Sequence, residues 1–182
     1  AATGSDPTLS AQGSDTNINF TYLSKGSAGE HRFSTNTGGN TQFRITHTGS
    51  SANYIQVTGA ATGGDPVVSA QGSDTNIDLA LQPKGTGAIQ AQATTSTTAG
   101  GNARGQYAVD WQTSRNGAAQ VASSTQSVVG GGFGNTASNV ASTVAGGASN
   151  VVNQPYGGIL SGQSNAVTLN YASVVGGLSN TG

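Results

Sequence analysis

Between Ser127 and Asn180 the sequence repeats at a constant period of fifteen without insertion, and this period restricts the possible folds more than any other feature of the 182-residue chain. The copies read SVVGGGFGN (Ser127–Asn135), STVAGGASN (Ser142–Asn150), GGILSGQSN (Gly157–Asn165) and ASVVGGLSN (Ala172–Asn180). Asparagine ends each copy, at Asn135, Asn150, Asn165 and Asn180. Glycine stands three places earlier, at Gly132, Gly147, Gly162 and Gly177, and a β-branched residue six places earlier, at Val129, Val144, Ile159 and Val174. Paired glycines and β-branched residues both disfavour a helix. A ribbon that completes one turn per repeat sets each residue over its equivalent at the strand spacing, so four turns stack to about 19 Å. In such a coil the valines and isoleucine point inward as one apolar column. Glycine takes a corner that needs positive φ or close backbone approach. Asparagine tolerates left-handed geometry and can bond to the backbone or to its own copies above and below. A disordered spacer would not keep three residue types in phase over four copies.

A second, longer repeat lies in the first half. AATGSDPTLSAQGSDTNI (Ala1–Ile18) returns, with few changes, as AATGGDPVVSAQGSDTNI (Ala60–Ile77). Apolar alternation after each copy predicts a strand through Ile18, Phe20 and Tyr22 and another through Ile77, Leu79 and Leu81. Lys25-Gly26 and Lys84-Gly85 then read as turns. Two further short strands are expected at Phe43–His47 and Tyr54–Val57. Thr94–Gly105 reads as a low-complexity junction, followed by a strand with Tyr107, Val109 and Trp111 on one face. The tryptophan is expected to plug the stack or to lie against a neighbouring chain.

Leu, Ile, Val and Phe together supply only about one residue in six, yet the formal charge is −1, so the chain lacks the high net charge of a compositionally disordered segment. Neutral, apolar-poor composition suits stacked β structure, in which repeated interfaces replace a large private core. The last Asp, Glu, His, Lys or Arg is Arg115. With no cluster of Lys and Arg, neither nucleic acid nor an anionic membrane surface is an expected partner. No apolar run approaches the length of a membrane span, and AATGSDP at the start has no signal-peptide apolar region. There is no cysteine, hence neither disulfide framework nor thiolate metal site.

Little chemistry is expected of the side chains. Asp6 and Asp65, and Asp15 and Asp74, are paired by the long repeat and read as turn or capping residues. Glu30, Asp78 and Asp110 remain, and no shared motif joins them as the two nearby carboxylates that glycoside hydrolysis requires. His31 and His47, sixteen apart, carry no metal-ligand pattern, and Gly130–Gly132 lacks the Lys-Ser/Thr of a phosphate loop. Neither catalytic site, cofactor nor metal is therefore expected. Thr136, Val151, Ala166 and Thr181 after the asparagines break the threonine ladder that an ice-binding face would need.

The block GSDTNIDLALQPKGTGAIQAQ (Gly72–Gln92) resembles modules of bacteriophage tail fibres and tailspikes. ARGQYAVDWQTSR (Ala103–Arg115), continuing into the coils, is similar to the β-roll part of such fibres, and the coils also resemble head repeats of trimeric autotransporter adhesins. The resemblance implies an extracellular, virion-borne homotrimer that joins other virion proteins to a host surface glycan or protein. A bacterial trimeric surface adhesin and a polysaccharide-degrading tailspike are the alternatives. The expected architecture is all-β and elongated, with a two-copy fibre module over 1–93, a junction over 94–105 and a β-roll or β-helix over 106–182. One inward apolar side chain per coil also argues that a single chain buries too little, so that three chains would share the coil interior. The chain stops within a coil at Gly182, as a fragment or matured product would.

Overall fold

The computed structural model describes residues 9–14, 16–26, 29–35, 39–46 and 48–182. Ala1–Leu79 and Ala80–Gly182 form separate compact units. The described residues are all-β, with no helix in either unit.

The first unit contains two antiparallel ribbons. Strands β1 (His31–Thr35) and β2 (Asn40–Ile45) pair with Phe33 opposite Phe43, their rings 5.8 Å apart. The same register sets Arg32 directly opposite Arg44, a like-charge pair that destabilises a ribbon unless it is bridged. Glu30 bridges it, bonded to Arg32 and 3.5 Å from Arg44. Strands β3 (Asn53–Thr58) and β4 (Val67–Gly72) pair in continuous register, with Val57 opposite Val68. No described residue of this unit is buried, and Phe33, Phe43, Tyr54, Ile55, Val57, Val67 and Val68 are all exposed. A two-stranded ribbon alone is marginal in water. The described residues of this unit form strands but bury no core.

Two strands expected from the alternation do not form. Ile18–Tyr22 and Ile77–Leu81 carry the apolar pattern but no ladder partner, although the Phe20 and Tyr22 rings remain 4.6 Å apart. The expected strands at Phe43–His47 and Tyr54–Val57 appear as β2 and β3, with His47 outside the described residues.

The second unit is a parallel β-solenoid of two-residue strands: β5 (Ile89–Gln90), β6 (Val109–Asp110), β7 (Val128–Val129), β8 (Thr136–Ala137), β9 (Thr143–Val144), β10 (Val151–Val152), β11 (Gly158–Ile159), β12 (Ala166–Val167) and β13 (Ser173–Val174). One sheet runs β13-β11-β9-β7-β6-β5 and a second β12-β10-β8. Single bridges through Ser114, Phe133, Ala148, Gln163 and Leu178 make a third line. In the first sheet Ile89 pairs with Val109 and Val109 with Val128, wider steps along the chain than the constant ones from Val128 to Thr143, Gly158 and Ser173. The coil therefore starts earlier than its period reveals. Ile89 N donates to Ala108 O at 3.0 Å and Ala91 N to Asp110 O at 2.8 Å, so residues up to 93, assigned above to the fibre module, belong partly to the solenoid. The expected junction is likewise absorbed into a wide coil, with Asn102 N on Ala118 O and Gly105 N on Ala122 O.

Two apolar columns fill the interior. Val129, Val144 and Ile159, 0–1% exposed, stack over Asp110 and under Val174, and Ala122, Ala137, Val152 and Val167 form a parallel column. Volume is balanced between the walls. Ser127 and Ser142 point inward where the second column holds Ala122 and Ala137, whereas Gly157 occupies their equivalent position beside Val152 and Val167. A Cβ on Gly157 would stand 2.7 Å from Val167 Cγ1 and 2.9 Å from Val152 Cγ1. The expectation that several chains complete this interior is corrected: one chain closes it, because each coil supplies two apolar residues rather than one and the asparagines satisfy the polar remainder. Trp111 also departs from expectation as a plug. Ala108, Asp110 and Gln112 take the inward positions, leaving Tyr107 and Trp111 outward, Trp111 at 48% exposure.

Candidate functional site

The repeat residues singled out by sequence come together as a continuous polar spine. Gly132, Gly147, Gly162 and Gly177 have φ of 87°, 88°, 96° and 107°, the left-handed region that L side chains rarely enter. A Cβ at Gly147 would overlap Gly162 O, so close backbone approach adds to the dihedral requirement. Beside this corner Asn135 Oδ1 accepts from Asn150 N at 3.0 Å, Asn150 Oδ1 from Asn165 N at 3.0 Å, and Asn165 Oδ1 from Asn180 N at 2.9 Å. Each amide nitrogen donates as well: Asn150 Nδ2 reaches Gly146 O at 3.0 Å and Gly162 O at 2.9 Å. Asn135, Asn150 and Asn165 are buried, and the spine answers backbone groups that water cannot reach. The asparagines themselves are not left-handed. Ser149, Ser164 and Ser179, immediately before them, take φ of 55°, 55° and 57°, and Gly134 does so before Asn135.

Sequence reasoning missed what starts the spine. Gln112 Oε1 accepts from Asn135 N at 2.7 Å, and Gln112 Nε2 donates to Gln120 O at 2.8 Å, so a longer amide replaces the first asparagine. Next to it lies a buried charged cluster. Arg104 Nε donates to Asp110 Oδ2 at 2.7 Å, with the side chains 1% and 0% exposed, and Asp110 Oδ1 accepts from Gln112 N at 3.0 Å. Arg115 donates to Gln120 O, Gln92 Oε1, Ala99 O and Gln112 O. Burial lowers the pKa of its guanidinium, and Arg104 lowers it further while Asp110 opposes both. Two guanidiniums and one carboxylate share this end of the coil, and Arg104 Nη2 is buried without a hydrogen-bond partner. The cluster binds the two wide coils, drawing on Gln92, Ala99, Arg104 and Gln120 at once. The alternation at Asp110 was the available signal: a carboxylate on the inward side of a strand needs a cation.

Of the other candidate carboxylates, Glu30 and Asp74 hold local partners. Glu30 sits between Arg32 and Arg44, beside a hollow of about 550 Å³ lined by Tyr22, Glu30, His31, Arg32, Phe33 and Ile45. Asp78 is exposed, and Asp74 Oδ2 accepts from Asn53 Nδ2 at 2.7 Å across the base of the β3–β4 ribbon. Asp6 and Asp15 lie outside the described residues. Among the described residues no three His, Asp or Glu side chains group as metal ligands. The arrangement is one of hydrogen-bond satisfaction and stacking.

No protein-family model matches the chain, no curated protein matches it, and no solved structure matches it. What the fold and its spine define is a class of architecture: an all-β protein with a parallel β-solenoid whose later coils keep the constant short period of the repeat.

Proposed function

We propose that this chain is a structural and adhesive segment of a bacteriophage fibre, a homotrimer outside the cell that connects other virion proteins to a glycan or protein on the host surface. One observation carries the reading: the first unit has two ribbons with aromatic and aliphatic faces, yet none of its described residues is buried by its own chain. Contiguous exposed apolar residues of this kind mark an interaction surface. Identical copies supply its cover without further components, and the scarcity of charge lets such copies approach without like-charge repulsion. The resemblance of Gly72–Gln92 to tail-fibre modules supports the viral assignment over a bacterial adhesin.

Mass and location test this together. Sedimentation equilibrium should give three times the 17.8 kDa chain mass. Antibodies against the segment should decorate virions in electron micrographs. A monomer at micromolar concentration contradicts the assembly, and label confined to bacterial surfaces contradicts the viral assignment.

A further inference from the structure

The three corners of the solenoid differ in what they display. One corner carries, in successive coils, Tyr107, Gln126, Ala141, Tyr156 and Tyr171, all with left-handed φ of 56°, 58°, 51°, 57° and 61°. Each corner residue bonds to the coil before it: Ala141 N to Thr125 O at 3.0 Å, Tyr156 N to Val140 O at 3.0 Å, and Tyr171 N to Pro155 O at 3.2 Å. The corner is thus a true ladder with the rise of a sheet. A left-handed corner favours Gly or Asn, and a bulky aromatic is among the least suitable residues for it. Packing does not demand Tyr156 and Tyr171, which are 55% and 75% exposed. Their rings lie parallel, 1° between planes and 5.2 Å between centroids. A strained, exposed and ordered aromatic pair is an outlier that invites a functional explanation.

One rung of this ladder is small. Tyr171 covers one face of the Tyr156 ring, but the position on the other side is Ala141, whose methyl group cannot cover an aromatic face. Beyond Ala141 stands Gln126, two coils from Tyr156, about 10 Å at the strand spacing. The geometry points to a slot one rung high, with the Tyr156 ring as floor and the exposed Gln126 at the rung beyond. The Asn139 amide is already bonded to Asn153 O and Val140 N, which leaves Gln154, two residues before Tyr156 and half-buried, as the nearby amide.

We propose that this slot holds one ring of a neutral saccharide. No Asp, Glu, His, Lys or Arg follows Arg115, so the coils that form the slot offer no side-chain partner for a charged ligand. An aromatic face, with its negative quadrupole, attracts the C–H face of a hexose, and side-chain amides match its hydroxyls as both donors and acceptors. Single-ring affinity is low, and identical copies in one fibre raise it by avidity. The inference rests on the adhesive reading above and adds the place and ligand class.

Ala141→Tyr separates the slot from the fold, since it continues a ladder that the next two coils already build. The assembled full chain, with its tyrosine rings labelled for NMR, is titrated with neutral gluco-, galacto- and manno-configured trisaccharides. At least one should shift the Tyr156 ring resonances saturably, with a dissociation constant in the millimolar range. Ala141→Tyr should weaken that binding at least tenfold while the chain keeps its native far-UV spectrum. Gln126→Ala, on an exposed side chain, should weaken it about threefold and serves if the first variant misfolds. Equal binding by these variants, or adhesion to bacteria with no trisaccharide effect at Tyr156, overturns the slot and leaves the adhesive reading standing. Absence of adhesion by every form overturns both.

Discussion

In the solenoid Val144 is fully buried by its own chain, whereas in the hairpin unit Val57, on an equally β-branched strand, is 74% exposed. Both residues sit on backbone with a satisfied ladder, so strand formation is not what separates them. The difference is the opposite wall. A coil turns back on itself within one short repeat, so the inward side of β9 faces the inward side of β10 in the same coil, and the coils above and below seal the remainder. A ribbon such as β3–β4 has two faces and no wall for either. Repetition at short period supplies a core within one chain, while the same apolar economy in a hairpin buries none of its described residues.

The largest effect should come from breaking a corner of the coil. Gly147→Ala drives a Cβ into Gly162 O at a φ of 88°, and should cost roughly 4 kcal/mol or more by chemical denaturation. The hairpin unit has no stacked corner of this kind among its described residues, and its spectroscopic signals should be unchanged.

Asp110→Ala comes next. It leaves the Arg104 guanidinium buried without its carboxylate, beside Arg115, and should cost about 3 to 5 kcal/mol. The loss should appear in the melting temperature of the solenoid, and replacing Arg104 by Met in the same chain should recover part of it.

Gly157→Ala tests the volume balance between the walls. Its methyl group collides with Val152 and Val167, so a loss of about 1 to 3 kcal/mol is expected. Val152→Ala restores the pairing of small with large found in the preceding coil, and the double variant should be more stable than Gly157→Ala alone.

Phe43→Ser probes the other side of the comparison and should have the smallest effect on a single chain. The ring is 58% exposed there, so the folding free energy of an isolated chain should move by no more than about 0.5 kcal/mol. Assembly should weaken instead, seen as a sedimentation profile that shifts toward monomer on dilution.

The sequence showed the coil where its period was constant and concealed it where the period stretched. Val129 is buried, Gly132 takes positive φ and Asn135 bonds along the stack, positions that the sequence marks because three residue types recur in phase. Ile89 and Val109 belong to the same sheet, but the wide and unequal steps from Ile89 to Val109 and from Val109 to Val128 give no period to detect. The second column was hidden for another reason: Ala122, Ala137, Val152 and Val167 change size along the stack, and the matching change from Ser142 to Gly157 is visible only when both walls are seen. In the hairpin unit the long repeat separates local pattern from pairing. Ser69–Gly72 lies in β4, while the identical Ser10–Gly13 forms no strand. Strand β3 gives the second copy an edge to pair with, and no edge among the described residues does so for the first. Alternation at Ile18–Tyr22 fails for the same reason, since a strand is completed by its neighbour rather than by its own sequence.

Hydrogen exchange of the full chain, followed by mass spectrometry over a hundredfold range of protein concentration, tests the central contrast most directly. Protection of the amides of Val128–Ala145 and Val151–Val167 should stay constant on dilution, because one chain closes that interior. Protection of Asn40–Ile45 and Asn53–Thr58 should fall as partners dissociate. Ribbons that keep their protection at the lowest concentration, or coils that lose theirs, would contradict the division between a core built by one chain and a core built by several.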